Sequence, residues 1–181
     1  MTSVFIGGSR AVSRLNAPIR QQLDNLIERK CTILVGDANG ADKAVQSYLA
    51  DHNYTDVVVY CMDECRNNLG QWQTRPQTSP NGSNRDFEYY STKDRAMARD
   101  AKCGVMLWDG KSRGTLTNVV NLLSDRKAVL LYFSPKRVFH KLSTMDDLHV
   151  VVNSCDRREM ERLLRKIGID SPFDAHQMQL R

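Results

Sequence analysis

Short apolar segments alternate along this chain with segments of helical spacing, and three of the apolar segments end in a turn that contains glycine. The apolar segments span residues 4–6, 31–35, 57–61, 103–108 and 128–133. They are apolar throughout, which is typical of strands that are buried on both faces. Because helical segments separate them, the pattern predicts a three-layer α/β fold with a mainly parallel sheet of about five strands.

The length of the chain predicts one domain. A chain of 181 residues buries a hydrophobic core without needing metals or disulfides. We predict that residues 1–134 form the α/β domain and that residues 135–181 form a small helical extension of it. Residues 63–86 contain Asn, Gly and Pro and few aliphatic side chains, which predicts a long loop. Such a loop is either functional or a tolerated insertion, and the sequence leaves both open.

The charge of the chain is mildly positive. Twenty-six Lys and Arg against 21 Asp and Glu give a net charge of +5. Both halves share this small excess, and neither carries a basic tail. This balance is compatible with a small anionic ligand, whereas a dedicated nucleic-acid surface is not indicated.

The sequence predicts a cytoplasmic protein that does not bind a membrane. No apolar run approaches the roughly 18 residues of a membrane span, and the first residues lack the basic start of a signal peptide. In a reducing compartment the five cysteines are expected to be free thiols. Cys61 and Cys65 are spaced C-x3-C and the other candidate ligands are scattered along the chain, so we expect no metal site, and no motif predicts a cofactor.

The glycine turns are the segments most suited to bind a ligand. They are Gly7-Gly8, the segment from Gly36 to Gly40, and residues 109–115. In a parallel sheet, ligands bind beyond the carboxyl ends of the strands. Glycine lets the backbone approach a ligand closely, and the following helix presents free N–H groups. The turns therefore predict a phosphate-sized anion site, although none matches the spacing of a dinucleotide fingerprint or a Walker loop.

Three segments together resemble a known superfamily. The segments read GGSR at residues 7–10, VGDANGAD at residues 35–42 and DGKSRGT at residues 109–115. They resemble the SLOG superfamily, the Rossmann-like group that contains the DprA, lonely guy and YpsA-like proteins. This resemblance covers residues 3–133. It implies a nucleotide or nucleotide-derived ligand, such as an ADP-ribose-like molecule or a nucleoside phosphate, and a homodimer that pairs through helices beside the site.

The resemblance also implies a second function, cleavage of an N-glycosidic bond. The segment from Asp109 to Thr115 is similar to nucleoside deoxyribosyltransferases. In those enzymes and in lonely guy proteins a glutamate follows the Gly-Thr pair by three residues, whereas this chain has Asn118 there. An amide cannot act as a carboxylate nucleophile or a general base. A hydrolase or transferase would therefore need another carboxylate, and the candidates are Asp94, Asp109 and Glu88.

We expect the ligand to be bound mainly by the glycine turns and their polar neighbours. Arg10 is suited to a bidentate phosphate contact. Asp42 either satisfies helix N–H groups, binds a ribose hydroxyl or orients Arg10. The predicted ligand-binding residues are Gly7, Gly8, Ser9, Arg10, Gly36, Asp37, Gly40, Ala41, Asp42, Ser112, Gly114, Thr115 and Asn118. Binding of single-stranded DNA is a third, weaker hypothesis, because no basic stripe is visible and nucleic acid is an unlikely partner.

Overall fold

A computed structural model describes residues 1–79 and 85–169 of the chain. Its strands are β1 (Ser3–Gly8), β2 (Thr32–Gly36), β3 (Val57–Met62), β4 (Gln73–Gln77), β5 (Cys103–Trp108), β6 (Val129–Phe133) and β7 (Val138–Leu142). Its helices are α1 (Ala17–Glu28), α2 (Ala41–Asp51), α3 (Phe87–Asp100), α4 (Arg113–Ser124), α5 (Met145–Val152) and α6 (Arg157–Ile167).

The strands form one sheet in the order β4-β3-β2-β1-β5-β6-β7. All neighbours are parallel except β6 and β7, which are antiparallel. The chain builds outward from β1 to β4, then returns to the other side of β1 with β5. The strand order therefore reverses between β1 and β5, where Gly8 lies in register with Leu107. A crevice forms at such a point because the two neighbouring connections run in opposite directions.

The predicted α/β class with a mainly parallel sheet is confirmed, and the predicted strand number is corrected. All five predicted strands are present, and β4 and β7 add two more. The region from 63 to 86 is therefore not one long loop, since β4 pairs with β3 inside it. Residues 80–84 of that region lie outside the described residues. Likewise the extension after residue 134 is not only helical, because it begins with β7.

The sheet has helices on both faces and a hydrophobic core on each side. One core joins α1 and α2 to side chains such as Ile6, Val35 and Leu107. The other core lies on the opposite face of the sheet, where helices α3, α4, α5 and α6 pack on strand side chains such as Phe5 and Trp108. Burial on both faces explains why the central strands are apolar at every position.

Polar caps set where most of the helices begin. Of the six helices in the described residues, five start after a side chain that accepts a hydrogen bond from the first turn. These caps are Asn16, Asp86, Ser112, Thr144 and Asp156. The remaining helix, α2, follows Gly40, which has no capping side chain and whose φ of 86° lies in the left-handed region. Across residues 1–79 and 85–169, none of the helices is long and apolar enough to cross a membrane.

The expectation of five free thiols is wrong for two of them. Cys61 and Cys65 form a disulfide, because the chain turns after β3 and brings their Cα atoms to 5.1 Å. Cys31, Cys103 and Cys155 are free. The sequence showed the short spacing of the pair but not the turn that closes it.

Candidate functional site

A cleft of about 700 Å³ opens at the point where the strand order reverses. The segments that follow β1 and β5 both line it. These two segments are joined by a hydrogen bond of 2.8 Å from Ser9 Oγ to Asp109 Oδ2. The cleft therefore lies beyond the carboxyl ends of the parallel strands, as predicted for a ligand site in this class of fold.

The turn after β1 forms one wall of this cleft. Gly7, Gly8, Ser9 and Arg10 all line it. A Cβ atom on Gly8 would lie 2.6 Å from the carbonyl oxygen of Leu107 and 2.8 Å from the Cβ of Ala41. Only glycine fits at this position, so the backbone of β1 lies close both to its neighbours and to the cleft.

The turn after β5 and the N-terminus of α4 form the opposite wall. Asp109 Oδ1 accepts hydrogen bonds from the N–H groups of Lys111 at 3.0 Å and Ser112 at 2.7 Å. Ser112 Oγ accepts in turn from the N–H of Thr115 at 3.3 Å and from its hydroxyl at 3.0 Å. These bonds shape the turn. They leave the N–H groups of Arg113 and Gly114 without an acceptor among the described residues.

Gly114 differs from the other glycines of the site in having open space beside it. A Cβ atom at this position would meet nothing within 4 Å. The first turn of α4 is therefore accessible from the cleft, with free N–H groups and the positive end of the helix dipole directed there.

The glycines of the turn after β2 are packed against protein. Gly36, Asp37, Gly40 and Ala41 do not line the cleft, whereas Ala38 and Asp42 do. A Cβ atom on Gly40 would overlap the backbone of Arg10. The N–H of Ala41 is also used, since it donates to the carbonyl oxygen of Ser9 at 3.2 Å. This turn supports the β1 wall from behind, and its predicted role in ligand binding stays a prediction.

A buried lysine lies beneath the cleft among three carboxylates. The Lys93 ammonium is 2.6 Å from Asp94 Oδ1, and its side chain is only 5% exposed. The Asp42 carboxylate lies beside the same ammonium, because a Cβ atom added to Gly36 would meet both groups. Burial alone would lower the pKa of Lys93, but the charges of Asp94, Asp42 and Asp37 raise it. Lys93 is therefore a permanent cation that holds these side chains together.

Asp42 is a buried carboxyl group with a raised pKa. The residue is only 7% exposed, and desolvation raises its pKa to about 6 although the charge of Lys93 opposes the shift. Its Oδ2 accepts a hydrogen bond of 3.2 Å from the N–H of Ala38. A carboxyl group in this position changes protonation between mildly acidic and neutral pH.

Asn118 and Asp94 form a fixed pair in the cleft. The Asn118 amide donates to Asp94 Oδ2 at 3.1 Å, while Lys93 occupies Oδ1. Both oxygens of Asp94 are thus engaged, yet its side chain is 21% exposed and lines the cleft. The Asn118 carbonyl oxygen and the Asp94 carboxylate present hydrogen-bond acceptors side by side.

Arg66, in the loop before β4, also lines the cleft. Its Nε donates to Asp37 Oδ2 at 2.9 Å and its Nη2 donates to Asp37 Oδ1 at 2.6 Å. The guanidinium also lies 4.9 Å from the ring centroid of Tyr90. Burial alone would raise the pKa of Asp37, but hydrogen bonds from Arg66 and the charge of Lys93 lower it. Asp37 is therefore an ionised anchor for Arg66, and it does not itself line the cleft.

The cleft is lined by more positive than negative side chains. Six cationic side chains line it, namely Arg10, Arg66, Arg85, Lys93, Lys111 and Arg113. Four carboxyl groups do so, namely Asp42, Asp86, Asp94 and Asp109. Arg113 is held by the ring of Phe87, whose centroid is 3.7 Å from its guanidinium carbon. The arrangement favours an anionic ligand that also has an aromatic or apolar part.

Of the three carboxylates predicted as catalytic candidates, Asp94 and Asp109 line the cleft and Glu88 does not. Glu88 is exposed and pairs with Arg95 at 3.2 Å. Both carboxylate oxygens of Asp109 accept hydrogen bonds, one from Ser9 and the other from the turn before α4, so Asp109 stabilises this turn. Asp94 and Asp109 are thus the candidates at the cleft, and both oxygens of each are already engaged.

Apart from Asp94, sequence reasoning missed the wall of the cleft that α3 forms. The lining residues of α3 are Phe87, Tyr90, Ser91, Lys93, Asp94 and Met97. Most of these follow a spacing of three and four residues, which places them on one helix face. That spacing was present in the sequence, but it was hidden by charged neighbours such as Arg95. The other missed basic residues, Arg66 and Arg85, come from loops and had no periodic signal.

No family model matches the chain, and no curated protein matches it either. Within the described ranges, no three His, Cys, Asp or Glu side chains lie close enough to hold a metal ion. The residues of the cleft are therefore the basis for a functional conclusion.

Proposed function

We propose that this protein binds a nucleotide or nucleotide-derived ligand, either a nucleoside phosphate or an ADP-ribose-like molecule, in the cleft between β1 and β5. One observation carries the proposal. A cleft of about 700 Å³ lies at the reversal of strand order, with the free N–H groups of α4 at its wall. A volume of roughly 300–1,000 Å³ is usual for small-molecule sites.

The phosphate is assigned to the wall where positive groups meet. Arg10 follows β1, and the N–H groups of Arg113 and Gly114 begin α4. A helix N-terminus together with guanidinium groups is suited to a phosphate, because hydrogen bonds to a charged oxygen are roughly twice as strong as neutral ones.

The sugar is assigned to the pair of acceptors beneath that wall. The Asn118 carbonyl oxygen and the Asp94 carboxylate are held together by the 3.1 Å bond between the two side chains. Ribose hydroxyl groups are donors that such acceptors bind well. Tyr90 and Phe87 provide aromatic surface for a base on the α3 side.

Titration calorimetry with AMP, ADP, UMP and UDP tests this assignment. We expect binding by the unmodified protein and a loss of about ten- to a hundredfold in affinity for Arg10→Ala. Arg14→Ala is the matched control, since Arg14 is exposed and does not line the cleft. If none of the four nucleotides binds, or if both variants bind like the unmodified protein, the assignment is wrong.

Hydrolysis or transfer at an N-glycosidic bond is the second proposed function, supported by Asp94. This carboxylate is held by Lys93 and Asn118 at the edge of the cleft. Because both of its oxygens are already engaged and residue 118 is an amide, we expect slow or no release of base from nucleoside monophosphates. Rapid base release, measured by chromatography and abolished by Asp94→Asn, would establish the enzyme instead of the binding protein.

Asn118→Glu is the complementary variant for this question. A glutamate there would place a second carboxylate beside Asp94, within reach of the same ligand. Gain of base release in this variant would show that the rest of the site supports glycosidic cleavage. Its absence would leave Asn118 as a binding residue alone.

A further inference from the structure

A second cavity adjoins the main cleft. It measures about 380 Å³ and is lined by Met62, Asp63, Glu64, Arg66, Arg85, Tyr89 and Tyr90. Three of these residues, Arg66, Arg85 and Tyr90, also line the main cleft. The two spaces therefore share a wall made of two guanidinium groups and one phenol ring.

Arg66 is held in place at this shared wall. Both oxygens of the buried Asp37 accept hydrogen bonds from the Arg66 side chain. Asp37 Oδ2 also accepts one from the backbone N–H of Arg66 at 3.1 Å. A guanidinium has five N–H groups, and two of them serve Asp37. The others have no acceptor among the described residues. A preorganised cation with free donors between two cavities is suited to an anionic group that passes from one to the other.

The far end of the second cavity is polar and carries hydrogen-bond acceptors. The Tyr89 hydroxyl donates to Asp63, so that carboxylate is already used. Glu64 lines the same cavity and makes no hydrogen bond or ion pair within the described part of the chain. A free carboxylate in this position accepts hydrogen bonds from hydroxyl or amino groups.

From these features we infer that the second cavity is a subsite, and that the ligand is a nucleotide conjugate of two parts. The nucleoside lies in the main cleft, a phosphate or diphosphate link passes Arg66 and Arg85, and a hydroxyl- or amino-bearing group such as a sugar occupies the second cavity. This inference rests on the proposed nucleotide function and adds the class of ligand to it.

Calorimetry with matched pairs of probes tests the subsite. ADP is compared with ADP-ribose, and UDP with UDP-glucose, so that each pair differs only in the distal sugar. We expect the conjugate of at least one pair to bind about tenfold more tightly than its diphosphate, the gain of one or two hydrogen bonds. Glu64→Trp should fill the cavity and remove this gain while leaving ADP and UDP binding unchanged.

Two further variants make the result specific. Glu64→Gln keeps an acceptor oxygen and should retain part of the gain. Glu28→Trp adds the same bulk to an exposed glutamate on α1, outside both cavities, and should bind all probes like the unmodified protein. Glu64 is exposed, so both substitutions there are expected to fold.

The outcomes separate this inference from the function on which it rests. If diphosphates bind but the sugar adds nothing, or if Glu64→Trp leaves the gain intact, the subsite is refuted and the nucleotide site stands. If no probe of either kind binds, the nucleotide site and the subsite are both refuted.

Discussion

Two glycine turns in this protein both follow parallel strands, and the glycines nearest to their helices have different surroundings. One runs from Gly36 to Gly40 between β2 and α2, and the other from Asp109 to Gly114 between β5 and α4. In the first, added Cβ atoms would meet the Asp42 carboxylate or the backbone of Arg10. In the second, an added Cβ on Gly114 would meet nothing within 4 Å, whereas one on Gly110 would lie 3.1 Å from the Phe133 ring.

The difference shows what a glycine turn after a parallel strand can mean. The turn after β2 needs glycine because protein groups fill the space, including the buried ammonium of Lys93. The turn after β5 has accessible N–H groups with space in front of them. A glycine turn therefore indicates a close approach, and only its surroundings show whether the approaching group is the protein itself or a ligand.

The turn after β2, called here the packed turn, should be destabilised most by loss of the Lys93 charge that lies beside Gly36. Lys93→Met would leave Asp42 and Asp94 without their buried partner, and we expect a loss of about 3–5 kcal/mol in the free energy of unfolding. Arg95→Met is the control, because its ion pair with Glu88 is exposed and contributes little. Urea denaturation of both variants measures the contrast, and equal losses would show that Lys93 is not the centre of this region.

Gly40→Ala should destabilise the packed turn by about 3 kcal/mol. Its φ of 86° is unfavourable for alanine, and the new methyl group would overlap the backbone of Arg10. Thermal denaturation provides the measurement. A variant as stable as the unmodified protein would mean that this turn is free to move and would remove the contrast with the turn after β5.

The buried carboxyl group of the packed turn should make stability depend on pH. The pKa of Asp42 is raised to about 6, so between roughly pH 4 and 6 the unfolded chain releases this proton while the folded protein keeps it. The folded protein therefore loses stability as pH rises through this window. The stability of the unmodified protein minus that of Asp42→Asn should fall by about 2–3 kcal/mol from pH 4 to pH 7.

Asp37 contributes to the pH dependence of stability in the opposite direction to Asp42. Its pKa is lowered, so its contribution is present above the ordinary Asp range and is lost as pH falls. Both proteins in the comparison retain Asp37, so most of its own contribution cancels in the difference, although its charge is one cause of the raised pKa of Asp42. A difference that stays constant from pH 4 to pH 7 would assign an ordinary pKa to Asp42.

The smallest expected change in stability is a gain, and it concerns the turn after β5 that contains Gly114. Gly114→Ala lies in the first turn of α4 with no atom nearby, and alanine is favoured over glycine in a helix. We expect a gain of about 0.5–1 kcal/mol in stability. Nucleotide affinity should fall in the same variant, because the methyl group would occupy the approach to the free N–H groups. A loss of stability would show that this turn is packed like the other.

The central sheet could be predicted because burial on both faces leaves a strong apolar signal. β4 could not, since QTRPQ contains no aliphatic residue and becomes a strand only through its pairing with β3. β7 was hidden for a similar reason, because the polar turn from Ser134 to Arg137 interrupts the pattern and the strand is antiparallel. Strands at the sheet edges are defined by their neighbours more than by their own residues.

The candidate site was predictable where it depended on local chemistry. The glycine turns and Asp94 follow from residue type and position along the chain. The burial of Lys93 does not, because a Lys-Asp-Arg run usually lies in solvent. Only its spacing from Tyr89 and Met97, four residues on either side, indicates the inner face of α3. The Arg66–Asp37 pair joins residues 29 apart in the chain, so it depends on tertiary structure that no local pattern records.

The two edges of the sheet also bear on how copies of this protein can meet. β4 carries Pro76, which lacks an N–H group, beside the exposed Arg75, and β7 carries the exposed Lys141. Proline and charged residues at an open edge disfavour the addition of a strand from another molecule. These edges therefore disfavour edge-to-edge aggregation, and contacts between copies of this protein are expected to use surfaces other than the sheet edges.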